Sequence, residues 1–124
     1  MKPLPGWFRY TSWAMAVLFA VCVALQVNDP DPVRWMAIYG VAAVVSAALP
    51  AKRAAWMAGL LLGAGSFVWA LALTLQVWGV IEPADLVRKM SEKGGAVEVG
   101  REAGGLWIQA VWLLAASAFR RTRT

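Results

Sequence analysis

Residues 54–81, AAWMAGLLLGAGSFVWALALTLQVWGVI, run without a single charged side chain. A helix needs about 20 mostly apolar residues to cross the hydrocarbon core of a bilayer, within a range of roughly 17–25. This stretch is long enough to span with tilt. It is also apolar on every side rather than along one stripe, as a soluble amphipathic helix would be. Working outward, three further stretches are predominantly apolar: 8–27 and 33–49 before it, with Arg9 and Arg34 near their starts, and 104–119 after it. The second and fourth are short, so little tilt or some local thinning of the bilayer is expected around them. The apolar runs are continuous, which excludes a membrane β-barrel with its alternating pattern. The prediction is a single all-α membrane domain over 1–124, a bundle of four transmembrane helices.

Composition agrees. Of the 124 residues, 60% are hydrophobic and 15% charged, against roughly 45–50% and 25% in soluble domains. Lys2 and Arg9 precede the first apolar run, but Gln26–Asp29 makes a poor cleavage site, and Trp7, Phe8, Tyr10 and Trp13 read as an interfacial aromatic belt. The first segment is therefore expected to be retained as a span.

Charge placement gives the orientation. Four spans put the N-terminus, the Pro50–Arg53 turn and the C-terminal tail on one side, with Lys2, Arg9, Lys52, Arg53, Arg120, Arg121 and Arg123 and no acid. The other side holds the remaining five cations and all seven acids. Lys and Arg favour cytoplasmic loops, so both termini are expected in the cytoplasm of a multi-pass cell-membrane protein. The net charge of +5 is then a topology signal, not a nucleic-acid footprint.

The chain has no His and one Cys, Cys22. An internal disulfide is excluded, and the commonest general base and metal ligand is absent. No phosphate loop, dinucleotide fingerprint, nucleophile–base pair or Cys/His zinc pattern is present. No cofactor is expected, and the sequence leaves any metal open.

Polar chemistry gathers instead on the acidic side. In Gln26-Val27-Asn28-Asp29-Pro30-Asp31-Pro32, Asp31 before Pro32 reads as an N-cap with proline at the first helical position. Asn28 suits a left-handed residue closing the first helix, and Pro30 forbids its continuation. The plain reading is a rigid turn. A sharper one makes Asn28, Asp29 and Asp31 oxygen ligands for a hard cation or for the amine of a lipid headgroup, with Asp29 the acid that capping leaves unassigned. Arg34 is placed to pair with Asp29 or Asp31. Trp35 and Tyr39, four apart, share one helix face, as part of an aromatic belt or as walls of a headgroup-level pocket.

The second acidic-side connection is long. Glu82-Pro83 reads as a cap and first-turn proline. A short interfacial helix is predicted over 83–93, with Leu86, Val87 and Met90 forming its apolar edge, ended by Gly94-Gly95. Arg101 and Glu102 follow, at the mouth of the last span, where an acid favours the helix dipole. Apart from Arg9 and Arg34 at the span ends, the polar candidates within the spans are uncharged: Ser46, Ser66, Thr74, Gln76, Gln109 and Ser117. An ion relay would show an intramembrane acid or base, so helix–helix hydrogen bonds are the expected use of these side chains. Gly59 to Gly63, continued by Gly65 and Ser66, forms a small-residue seam for close packing, within the bundle or in a homo-oligomer.

Leu25-Gln26-Val27-Asn28-Asp29-Pro30-Asp31-Pro32, followed by Trp35 and Ile38-Tyr39-Gly40, resembles the signature region of the transmembrane protein 220 family. Gly100-Arg101-Glu102 with Gly105-Leu106 resembles that family's second recurring patch, and the order of four apolar segments fits as well. The resemblance implies four membrane helices and groups the two acidic-side patches together. It implies no particular activity. The resulting expectation is a non-enzymatic accessory or interaction subunit, held in the lipid bilayer and assembled with a larger membrane complex or with itself. The alternative is a binding or catalytic site for a lipid headgroup, small solute or divalent cation, built from Asn28, Asp29, Asp31, Arg34, Trp35, Tyr39, Arg101 and Glu102.

Overall fold

The structure, a computed structural model, describes residues 1–29, 31–88 and 95–124. Among these residues it is all-α, with four long helices: α1 (Gly6–Leu25), α2 (Pro32–Ala48), α3 (Ala55–Val77) and α5 (Gly95–Arg121), with the single turn α4 (Asp85–Arg88) between the last two. α1, continued by a one-turn 3-10 helix to Asn28, and α3 are each long and apolar enough to cross a membrane. α2 is apolar but shorter, at 17 residues.

The helix ends follow local chemistry, with three departures from expectation. Asn28 does not turn left-handed, since no described residue other than glycine has a positive φ. α1 instead tightens into the 3-10 turn, and the Asp29 N–H closes it on the Gln26 carbonyl at 3.0 Å. α3 stops at Val77 rather than Ile81: Gly79 adopts φ +78°, and the Val80 N–H returns to the Val77 carbonyl at 2.9 Å, an ending that glycine makes cheap. The expected interfacial helix is one turn among the described residues, and its predicted remainder, 89–94, lies outside them. α5 begins at Gly95, well before the expected start at Gly104. Its early turns have an amphipathic spacing of their own, with Val97, Gly100 and Ala103 buried and Glu98, Arg101 and Glu102 on the remaining faces.

The chain groups into two compact units, residues 1–62 with 113–124, and residues 63–112. In the first, α1 packs on α2 through Phe19 stacked against Tyr39, with ring centroids 6.4 Å apart. Gly40 lets the Val23 methyl group approach to 3.9 Å of where a Cβ would stand. Gly59 receives Ser117: a Cβ on Gly59 would overlap Ser117 Oγ, lie 3.1 Å from Ser117 Cβ and 3.5 Å from a Val45 methyl group. This part of the glycine seam is therefore occupied from within the chain. The two ends of the chain also meet here, the Thr124 N–H donating to the Lys2 carbonyl at 3.1 Å.

In the second unit, polar side chains tie helix to helix. Trp107 Nε1 donates to Thr74 Oγ1 at 2.8 Å, and Gln109 Nε2 donates to Ser66 Oγ at 2.7 Å. Phe67 meets the Trp107 ring edge-on at 5.1 Å. Thr74 Oγ1 also donates back to the Ala70 carbonyl at 2.7 Å.

The outer surface of the helices is unlike that of a water-soluble protein. Ser12, Ser46, Ser66, Gln109 and Ser117 are buried, while Val17, Val21, Val44, Leu61, Val68, Leu71, Leu75 and Val111 are exposed. Water would penalise that surface, whereas hydrocarbon accepts it and leaves close packing and interhelical hydrogen bonds to hold the helices together.

Candidate functional site

The Asn28–Tyr39 segment is built by its own turn. Asp29 Oδ1 accepts the Asp31 N–H at 2.9 Å, an Asx turn just before α2. Asp29, the acid expected to be spare, therefore has a structural bond. Asp31 occupies the N-cap position with Pro32 next, as predicted, but its side chain makes no capping bond. It pairs with Arg34 instead, Nε to Oδ2 at 3.0 Å, with both side chains about half exposed. The Arg34 guanidinium also lies 5.3 Å from the Trp35 ring centroid, within cation–π range. Asn28 is exposed.

Trp35 and Tyr39 do share a face, and it is turned inward: they are 1% and 5% exposed, with ring centroids 6.4 Å apart and Phe19 on the far side of Tyr39. They form the core of the α1–α2 pair rather than a solvent-facing belt or an open pocket wall. Large aromatic side chains that do stand exposed are Trp7, Tyr10, Trp13, Phe67 and Trp78.

Arg101 and Glu102 belong to the second unit, half-buried on successive positions of α5. In that unit Asp85 Oδ2 accepts the Glu82 N–H at 3.1 Å, so the predicted cap at Glu82-Pro83 is completed from the residue three positions on. Beside it lies a cleft of about 240 Å³, lined by Thr74, Trp78, Ile81, Leu86, Gly100, Trp107 and their neighbours and almost wholly apolar. Gly100 holds it close: a Cβ there would stand 2.6 Å from Ile81 Cδ1 and 2.8 Å from Leu86 Cδ2. The sequence hint was the glycine on the Val97–Ala103 face. Among the described residues, no group of three Asp, Glu or Cys side chains is placed to hold a metal ion.

The densest polar structure is at the basic end of the first unit. Arg120 is 4% exposed. Its Nε donates to the Leu49 carbonyl at 2.6 Å, and its Nη1 donates to the carbonyls of Arg123 and Thr124 at 3.0 and 3.2 Å. Burial, and then the nearby charge of Arg53, lower its pKa from the ordinary arginine value. Arg53 donates through Nε and Nη2 to the Arg121 carbonyl at 3.2 and 2.7 Å, and the Arg121 guanidinium sits 5.0 Å from the Trp56 ring centroid. Two arginines thus complete two helix C-termini, where carbonyls lack intrahelical donors and the dipole favours cations. The signal was present in the sequence: Leu113, Ser117 and Arg120 continue one helical stripe.

Compared with known families, residues 18–118 match the model described as Transmembrane family 220, helix. No solved structure matches the chain.

Proposed function

Since the chain belongs to that transmembrane family and is an integral membrane protein, we propose that it works as a non-enzymatic interaction subunit of the cell membrane, with four spans and both termini in the cytoplasm. The observation that supports this reading best is the engagement of the turn acids in the turn itself: Asp29 on the Asp31 N–H and Asp31 on Arg34. Each bond occupies one carboxylate oxygen, so a ligand or proton would have to share these acids with the turn they hold. The apolar cleft of the second unit suits an acyl chain or an apolar side chain of a partner better than a charged substrate. The seven cations and no acids of the terminal side favour the cytoplasmic assignment, and their use as helix C-caps is compatible with a position at the headgroup level.

The test is a detergent-solubilised preparation from native membranes, resolved by native electrophoresis, with thermal unfolding of the purified chain run in parallel. The reading expects a stoichiometric assembly larger than the monomer and no stabilisation by divalent cations, EDTA or soluble headgroups. A monomer stabilised by one of those ligands, with the gain abolished in Asp29→Asn, would overturn it in favour of a small-ligand site. A ligand at about 100 times its Kd should contribute roughly 2.7 kcal/mol, well within reach of the measurement.

A further inference from the structure

A second cleft, of about 250 Å³, opens at the basic end of the first unit, lined by Arg9, Trp13, Pro50 and Ala51. Arg9 and Trp13 stand four apart on α1 and so share a face. Pro50 and Ala51 belong to the turn after α2, which the Ala51 and Lys52 N–H groups hold on the Ala48 carbonyl at 3.0 and 2.8 Å. Arg9 is exposed and has no ion pair among the described residues. The unit's acidic side chains, Asp29 and Asp31, lie past the far end of α1, about 30 Å away along a helix of this length. Lys52 and Arg53 flank the cleft, and Arg53 is committed to the Arg121 carbonyl. Tyr10 meets Trp13 edge-on at 5.9 Å, giving the cleft an exposed aromatic border of the kind that seats at the headgroup level.

We infer that this cleft binds the phosphate of an anionic glycerophospholipid, held by the Arg9 guanidinium with Trp13 along the glycerol and upper acyl region. The inference rests on the cytoplasmic placement of the basic end only for the choice of leaflet. Neither acid of this unit is within reach of Arg9, and anionic lipid supplies negative charge at headgroup depth. Guanidinium matches phosphate through paired N–H donors. The volume is below the roughly 300–1,000 Å³ of pockets that enclose a drug-sized ligand, so it takes a headgroup phosphate and leaves the acyl chains in the bilayer.

The test is native mass spectrometry of the full chain in detergent, titrated with phosphatidylglycerol, phosphatidylcholine or inorganic phosphate. Wild type should retain phosphatidylglycerol over phosphatidylcholine. Arg9→Gln should weaken that retention by about fivefold, the effect of one basic group at an anionic surface, while Arg9→Lys falls between and Lys2→Gln changes little. Lipid-free Arg9→Gln should unfold at the wild-type temperature, because Arg9 makes no hydrogen bond or ion pair among the described residues. Equal losses in Arg9→Gln and Lys2→Gln would mean diffuse attraction and overturn the site. Displacement of the lipid by millimolar inorganic phosphate would overturn the lipid assignment. Labelling of the termini from outside the cell, with lipid retention intact, would remove the cytoplasmic reading and leave the site standing.

Discussion

Arg120 of α5 donates through Nε to the carbonyl oxygen of Leu49, 2.6 Å away at the end of α2, so a buried cation is held by backbone oxygens at helix ends. Replacing it leaves the carbonyls of Leu49, Arg123 and Thr124 without that donor. Hydrogen bonds to charged groups contribute about 1.5–3 kcal/mol, and Arg120→Ala is expected to lose about that amount in thermal or denaturant unfolding. Arg120→Lys should recover only part of it, because one ammonium cannot reproduce the guanidinium fork that reaches Leu49 from one nitrogen and the tail from another.

Gly59→Ala tests the closest helix contact. Overpacking costs typically 1–3 kcal/mol, and a Cβ here overlaps Ser117 Oγ and sits 3.1 Å from Ser117 Cβ. The variant should be destabilised within that range. Ser117→Ala in the same chain removes the hydroxyl overlap while leaving the Cβ contact, so partial rescue is the expected double-mutant result. Additive losses would show that Gly59 matters for some other reason.

At the acidic-side turn, Asp29→Asn keeps an oxygen to accept the Asp31 N–H and should unfold close to wild type. Asp29→Ala should lose about 0.5–1.5 kcal/mol with the hydrogen bond. Arg34→Ala is expected to cost less than about 1 kcal/mol, as an exposed pair does, and the loss should shrink as salt is raised. These are unfolding measurements, and a much larger effect from Arg34 would point to a role beyond the pair.

Gln109→Leu should be mild despite complete burial of the residue. Interhelical hydrogen bonds within membranes average about 0.6 kcal/mol and reach about 1.7 at most. Moreover, Gln109 Oε1 accepts no hydrogen bond among the described residues, so leucine also removes an uncompensated polar atom. Ser66→Ala, which removes only the acceptor of the Gln109 amide, should cost at least as much in the same unfolding assay.

Much of the architecture was legible because hydrocarbon-facing positions must be apolar whatever their neighbours, and that requirement is printed directly in the sequence. Helix ends were less so. Gly104 and Gly105 look like a boundary by soluble-protein rules, yet they lie inside α5. The common face of Trp35 and Tyr39 followed from spacing alone. Its inward direction depended on Phe19, contributed by a different helix, and no local pattern states that. Asp29 was open to a local explanation that capping rules passed over, since an Asx turn takes its acceptor two residues before the N–H it satisfies. The apolar cleft beside Gly100 required knowing that Ile81 and Leu86 come near it.

The bond between Arg120 and Leu49 spans 71 positions of sequence, and this sets an order of events at the ribosome. With elongation at about 5–20 residues per second, residue 120 follows residue 49 by roughly 4–14 s. For that interval the α1–α2 pair already has its own aromatic contact, Phe19 on Tyr39, while the carbonyl end of α2 waits for its donor. A nascent chain halted before α5 would thus hold a paired hairpin whose Leu49 carbonyl lacks the Arg120 bond.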